Sequence, residues 1–111
     1  IRDSVASRGL GDVYKRQHIE PKYLEAYFNL ANVYIKLEKF DEAIAIFNKT
    51  IELDNTISHA FNGKGLGLMK LKKFDEAISN FKKSITLNPN DANVFFNLAA
   101  TYEKIEKWEE E

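Results

Sequence analysis

Apolar residues recur along this chain with the period of an α-helix. Between 24 and 37, Tyr27, Leu30, Ala31 and Tyr34 fall at i, i+3, i+4 and i+7, which is one stripe of a helix. A short link over 38–40 leads to a second stripe, where Ala43, Ile44, Phe47 and Ile51, with the small Thr50, share one side of a helix over 41–53. Asp41 and Glu42 stand in its first turn, where carboxylates complement the positive end of the helix dipole. The same alternation predicts helices over 58–71 and 75–87. It then predicts a third pair that opens over 92–105 and enters its second helix at Trp108. Small residues at Ala31, Gly65 and Ala99, at Ala43 and Ala77, and at Thr50 and Ser84 let helix axes approach while aromatics fill the gaps beside them.

The pairs are copies. Lys39-Phe40-Asp41-Glu42-Ala43-Ile44 returns 34 residues later as Lys73-Phe74-Asp75-Glu76-Ala77-Ile78. That step also superimposes Tyr27 on Phe61 and Phe95, Phe47 on Phe81, Ile51 on Ile85, Leu53 on Leu87, and Phe40 on Phe74 and Trp108. Helix pairs at this period resemble the tetratricopeptide repeat, whose pattern is large-x-x-Leu-Gly-x-x-Tyr, then Ala-x-x-x-Phe, then Pro. The first copy carries Tyr27, Leu30, Ala31, Tyr34, Ala43 and Phe47, with Asn55 in place of Pro. The second carries Phe61, Lys64 in place of Leu, Gly65, Leu68, Ala77, Phe81 and Pro89, and the third opens with Phe95, Leu98, Ala99 and Tyr102. The resemblance runs from His18 to the end. It implies an all-α fold, an α-solenoid of antiparallel helix pairs wound as a right-handed superhelix.

In this frame 24–57 is one repeat, 58–91 a second and 92–111 part of a third. Pro21 lies two steps before Pro89, so 18–23 reads as the last turn of a preceding repeat. Residues 1–17 break the frame, because Gly9, Val13 and Arg16 stand where a repeat needs a small residue, an aromatic and another small residue. Ile-Arg-Asp-Ser and Gly-Asp-Val-Tyr-Lys-Arg-Gln look like translated adapter sequence, the alternative being a native, variable leader. Repeats of this kind bury their apolar faces against neighbours, and roughly three are needed for stability. Uncapped ends are therefore expected on a piece of a longer array, with end-to-end self-association through them.

Composition narrows the function. A net charge of −1 from 16 basic and 17 acidic residues offers no field to gather nucleic acid or an anionic membrane, and neither is expected as a partner. The absence of cysteine removes disulfides and thiolate metal sites. No apolar run approaches the ~20 residues that span a bilayer, so the default is a soluble, cytoplasmic protein. His18 and His59 stand more than one repeat apart, and no metal or acid-base cluster is expected around them. Gly63, Gly65 and Gly67 sit inside a helical stripe with no strand before them, unlike a phosphate loop. At about 1 kcal/mol each against Ala, they mark either tight packing or a soft segment. No catalytic residues and no cofactor are expected, and the chain is not read as an enzyme.

Binding is the function left. By resemblance, the first helix of each pair lines a concave groove, and roughly 100° around from the core stripe stand Phe28, Asn62 and Phe96, then Asn32, Leu66 and Ala100, then Ile35, Met69 and Glu103. His59 and Asn93 precede them, and Lys36, Lys70 and Lys104 follow near the helix ends, where lysine also answers the helix dipole. A row with two Phe fits a protein or peptide ligand, taken as an extended peptide or a helix. The bland reading has Phe28 and Phe96 packing on neighbouring helices or covered by missing repeats. Asn29 and Asn97 resemble the asparagine ladder of long tetratricopeptide superhelices, which Gly63 interrupts. The carboxylate clamp of the chaperone-tail subfamily keeps only Asn32, with Phe28, Gly63, Asn93 and Asn97 at its other places, which argues against an acidic C-terminus as ligand. The expectation is an interaction scaffold. The alternative is a regulatory or substrate-recruiting arm of a larger enzyme such as a glycosyltransferase; RNA binding is disfavoured by the pI of 6.2.

Overall fold

The computed structural model describes residues 21–110, so the leader expected over 1–17 lies outside the described residues. Within them the chain forms α1 (Pro21–Lys36), α2 (Phe40–Leu53), α3 (Ser58–Lys70), α4 (Phe74–Leu87) and α5 (Ala92–Glu110), with no strand. Each second helix lies between two first helices, α2 between α1 and α3, and α4 between α3 and α5. The first helices also touch one another in sequence, α1 with α3 and α3 with α5. They therefore stand side by side along one face of a helical solenoid, the all-α architecture that the 34-residue period implied.

Two fold-backs use the same device without glycine. Glu38 and Lys72 take up left-handed backbone, with φ of 62° and 66°. The Glu38 N–H donates to the Ile35 carbonyl at 3.0 Å and the Lys39 N–H to that of Tyr34 at 2.8 Å; Lys72 to Met69 and Lys73 to Leu68 repeat this at 2.9 Å. Crossed bonds of this kind satisfy the last carbonyls of a helix. A left-handed residue with a side chain costs about 1–2 kcal/mol, which the packing of the second helix on the first offsets.

The third pair departs from expectation. α5 runs straight through Trp108 to Glu110, whereas Phe40 and Phe74, the equivalents of Trp108, open α2 and α4. At Glu38 and Lys72 the left-handed turn is followed by a helix that packs back on the one before it, whereas at the equivalent Glu106 the backbone stays helical. Pro21 also differs, lying within α1 while Pro89 lies in the turn before α5. That turn is closed by Asp91, whose Oδ1 accepts the Asn93 N–H at 3.0 Å and so caps α5.

The core is built of large residues set into small ones. Phe47 packs with Ala31 and Ala43 in one cluster, and Phe81 with Leu68, Met69, Ala77 and Val94 in the next. A Cβ on Gly65 would stand 2.7 Å from Phe81 Cε1, and one on Gly63 would overlap Phe47 Cζ. These glycines are tight packing and not a soft segment. Buried hydroxyls are satisfied: Ser84 Oγ donates to the Ser58 carbonyl at 2.9 Å, tying α4 to α3, and Thr50 and Thr101 donate to the carbonyls of Ile46 and Asn97. The inward stripe is closed only in the middle of the array. Phe61 and Leu68 on α3 are 8% and 5% exposed, while Leu30 on α1 and Phe95 and Tyr102 on α5 are 40%, 47% and 47% exposed.

Candidate functional site

The face shared by α1, α3 and α5 separates into two kinds of row. Ile35, Met69 and Glu103 occupy one repeat position, expected in the groove, but that position faces the next first helix. Ile35 Cδ1 lies 3.8 Å from where a Cβ of Gly67 would stand on α3. Met69 is 5% exposed in the cluster that includes Val94 of α5, so it is a core residue and not a groove contact. Glu103 has no first helix beyond it among the described residues and is exposed. This row packs repeat on repeat, and its burial follows the neighbour.

The row of Phe28, Asn62 and Phe96 is mixed. Phe28 is half-buried, its ring centroid 6.4 Å from that of Phe47 in a tilted contact, and it packs on the Ala31, Ala43 and Phe47 cluster. Phe28 is thus partly structural, as the bland reading held. Phe96 is 73% exposed, the most open large apolar side chain among the described residues. Asn62 is half-buried, and its Oδ1 accepts a hydrogen bond from Asn97 Nδ2 of the next repeat at 3.1 Å. Leu66 and Ala100 are half-buried against the second core cluster, leaving part of each on the face.

The polar candidates ring this centre. Asn32 and Asn93 are exposed, as are Lys36, Lys70 and Lys104, one at the same place on each first helix. The His59 imidazole is 69% exposed, with Nδ1 3.9 Å from Asp91 Oδ2. Asn97 shares its repeat position with Asn29 and Gly63, while Asn62 stands in a different row. A pair offset by 35 residues is invisible to a 34-residue alignment. Among the described residues no group of three or more His, Cys, Asp or Glu is placed to hold a metal, and no helix is long and apolar enough to cross a membrane.

Comparison with known proteins agrees with the fold. The family model of the tetratricopeptide repeat protein 21 C-terminal ARM domain matches residues 12–110, including 12–17 of the expected leader. No curated protein matches significantly. Among solved structures, the yeast Sti1 TPR2AB domain in its pHSP90 complex superimposes with a TM-score of 0.77 at 18% identity, covering 95% of this chain and 41% of that one. A point mutant of MamA does so at 0.67 and 26%, covering 94% and 77%. A T3SS complex chain from Aeromonas hydrophila follows at 0.75 and 22%, covering 84% and 62%. This chain therefore spans less than half of the Sti1 chain it matches. With the 34-residue period, the paired helices and a family match over most of its length, the chain belongs to the tetratricopeptide-repeat family.

Proposed function

We propose that this chain is a protein-protein interaction scaffold whose α3–α5 face receives an extended peptide segment of a partner protein. The observation that carries it is the Asn97–Asn62 hydrogen bond beside an exposed Phe96. Each carboxamide has two N–H donors and one carbonyl. One bond between them uses a donor of Asn97 and the carbonyl of Asn62, which leaves the Asn97 carbonyl and the Asn62 N–H groups side by side. A peptide unit offers the complementary N–H and C=O. Phe96, with the open parts of Leu66 and Ala100, then supplies an apolar seat for one side chain of that segment.

The yeast Sti1 domain is a complex with pHSP90, and at 18% identity the likeness supports the fold alone. A carboxylate clamp is not part of this proposal. A side chain at Gly63 would overlap Phe47, so the amide that such a clamp needs has no room there. No catalytic step is assigned to the chain.

The test is selection of binders from a random peptide library, followed by Phe96→Ala and Asn97→Ala in the protein. Each substitution is expected to weaken the selected peptides by about tenfold or more, with helix content unchanged. Peptides that bind both variants as tightly as the parent would overturn the assignment.

A further inference from the structure

The charges of this chain are sorted between its two layers of helices. α3, in the middle of the face, carries Lys64 and Lys70 and no carboxylate. On α5 the face residues Asn93, Phe96, Ala100 and Lys104 add none. The second helices instead open on paired carboxylates, Asp41 and Glu42 on α2 and Asp75 and Glu76 on α4. Lys36, Lys70 and Lys104 stand exposed at one place on the three first helices, and among the described residues no hydrogen bond or ion pair holds any of them. Lysine near a helix end also answers the dipole, yet α2 and α4 have no basic residue in their last turns. The lysines follow the face and not the helix ends. We propose, resting on the peptide site assigned above, that the segment this face takes is acidic, with Asp or Glu at every third residue set against Lys36, Lys70 and Lys104 in turn.

The spacing follows from the packing. α1 touches α3 and α3 touches α5, and helices in contact have axes about 8–10 Å apart. A polyproline II segment has three residues per turn and rises about 3.1 Å per residue, so a side chain returns to the same edge after about 9 Å. One side chain in three therefore meets each first helix. A β-strand returns a side chain to one edge after about 6.6 Å or about 13 Å, and neither step matches the row.

The placement of the lysines fits the same ligand. Side chains on a helix lean toward its N-terminus, so Lys70 and Lys104 lean toward the hydrogen-bonded Asn62 and Asn97, where the peptide backbone is assigned. The lysines are offered to side-chain carboxylates along the segment. A chain terminus is a different ligand, and Gly63 leaves no room for its clamp. With a net charge of −1 the chain has no long-range field to collect anions, so selection rests on these local pairs.

The experiment uses the 111-residue chain and its Lys70→Glu with Lys104→Glu variant, each set to select binders from a random peptide library. The selected peptides are then synthesised with both ends blocked. Peptides from the parent are expected to carry Asp or Glu three residues apart, and peptides from the variant Lys or Arg at the same places. A parent-selected peptide should bind the variant about tenfold more weakly, as reversing two exposed ion pairs implies, and regain affinity for it when its own acids become lysine. Its binding to the parent should also weaken as salt shortens the screening length from about 10 Å to about 3 Å. If the variant loses helix content, Lys70→Gln with Lys104→Gln replaces it. Peptides that lose binding in Phe96→Ala and Asn97→Ala, but carry no spaced acids and ignore the lysine changes, would overturn this proposal and leave the peptide site standing. Inorganic polyphosphate that binds the parent as tightly as the peptides would overturn it as well, by showing a charged patch without register. A library that yields no binder at all would remove the peptide site and this proposal together.

Discussion

At the scale of single residues, burial in this protein is decided by what stands across the gap. Gly65 sits mid-helix, where alanine ordinarily gains about 1 kcal/mol. Here its Cβ would enter the Phe81 ring, which is itself 0% exposed and has no space to retreat into. Overpacking of this kind costs about 1–3 kcal/mol, so Gly65→Ala is expected to destabilise despite its better propensity. Phe81→Ala, which empties the same contact from the other side, should cost about 3–5 kcal/mol, and Phe96→Ala, at 73% exposure, within about 0.5 kcal/mol. Urea unfolding of the three variants checks the order, and a stabilised Gly65→Ala would show that Phe81 can move aside.

At the scale of elements, the fold-backs are held by tertiary packing more than by local preference. Glu38 is left-handed at φ 62° with no glycine to ease it. Glu38→Gly removes about 1–2 kcal/mol of strain and adds back roughly 0.5–1 kcal/mol of unfolded-chain entropy. A net gain of about 0.5 kcal/mol, or roughly 2–4 °C in thermal midpoint, is expected. A fall in midpoint would mean that the Glu38 side chain holds the turn. α5 shows the same balance from the other side, since the equivalent Glu106 stays helical where no second helix folds back.

At the scale of the molecule, stability should follow the number of neighbours. α3 touches α1, α2, α4 and α5, and it carries six buried residues, Ala60, Phe61, Gly65, Gly67, Leu68 and Met69. In a solenoid each repeat is held by its flanks, so the ends open first. Amide exchange is expected to be slowest in α3 and the facing side of α4, faster in α1, and fastest over 106–110. Protection in α5 equal to that in α3 would contradict this.

The sequence by itself determined the period, the first two helix pairs to within a few residues, the small positions against which aromatics pack, and the family. These are properties of the repeat, and thirty-four residues of spacing carry them whatever the surroundings. Only the tertiary structure decided which copies of a position are buried. Ile35, Met69 and Glu103 are equivalent by period yet half-buried, buried and exposed, because α3 covers the first, α5 the second, and no first helix among the described residues the third. It also decided that Asn97 reaches across one repeat to Asn62, a contact between rows that periodicity keeps apart. Pattern reports what each helix repeats, while burial and pairing depend on the helix that lies beside it.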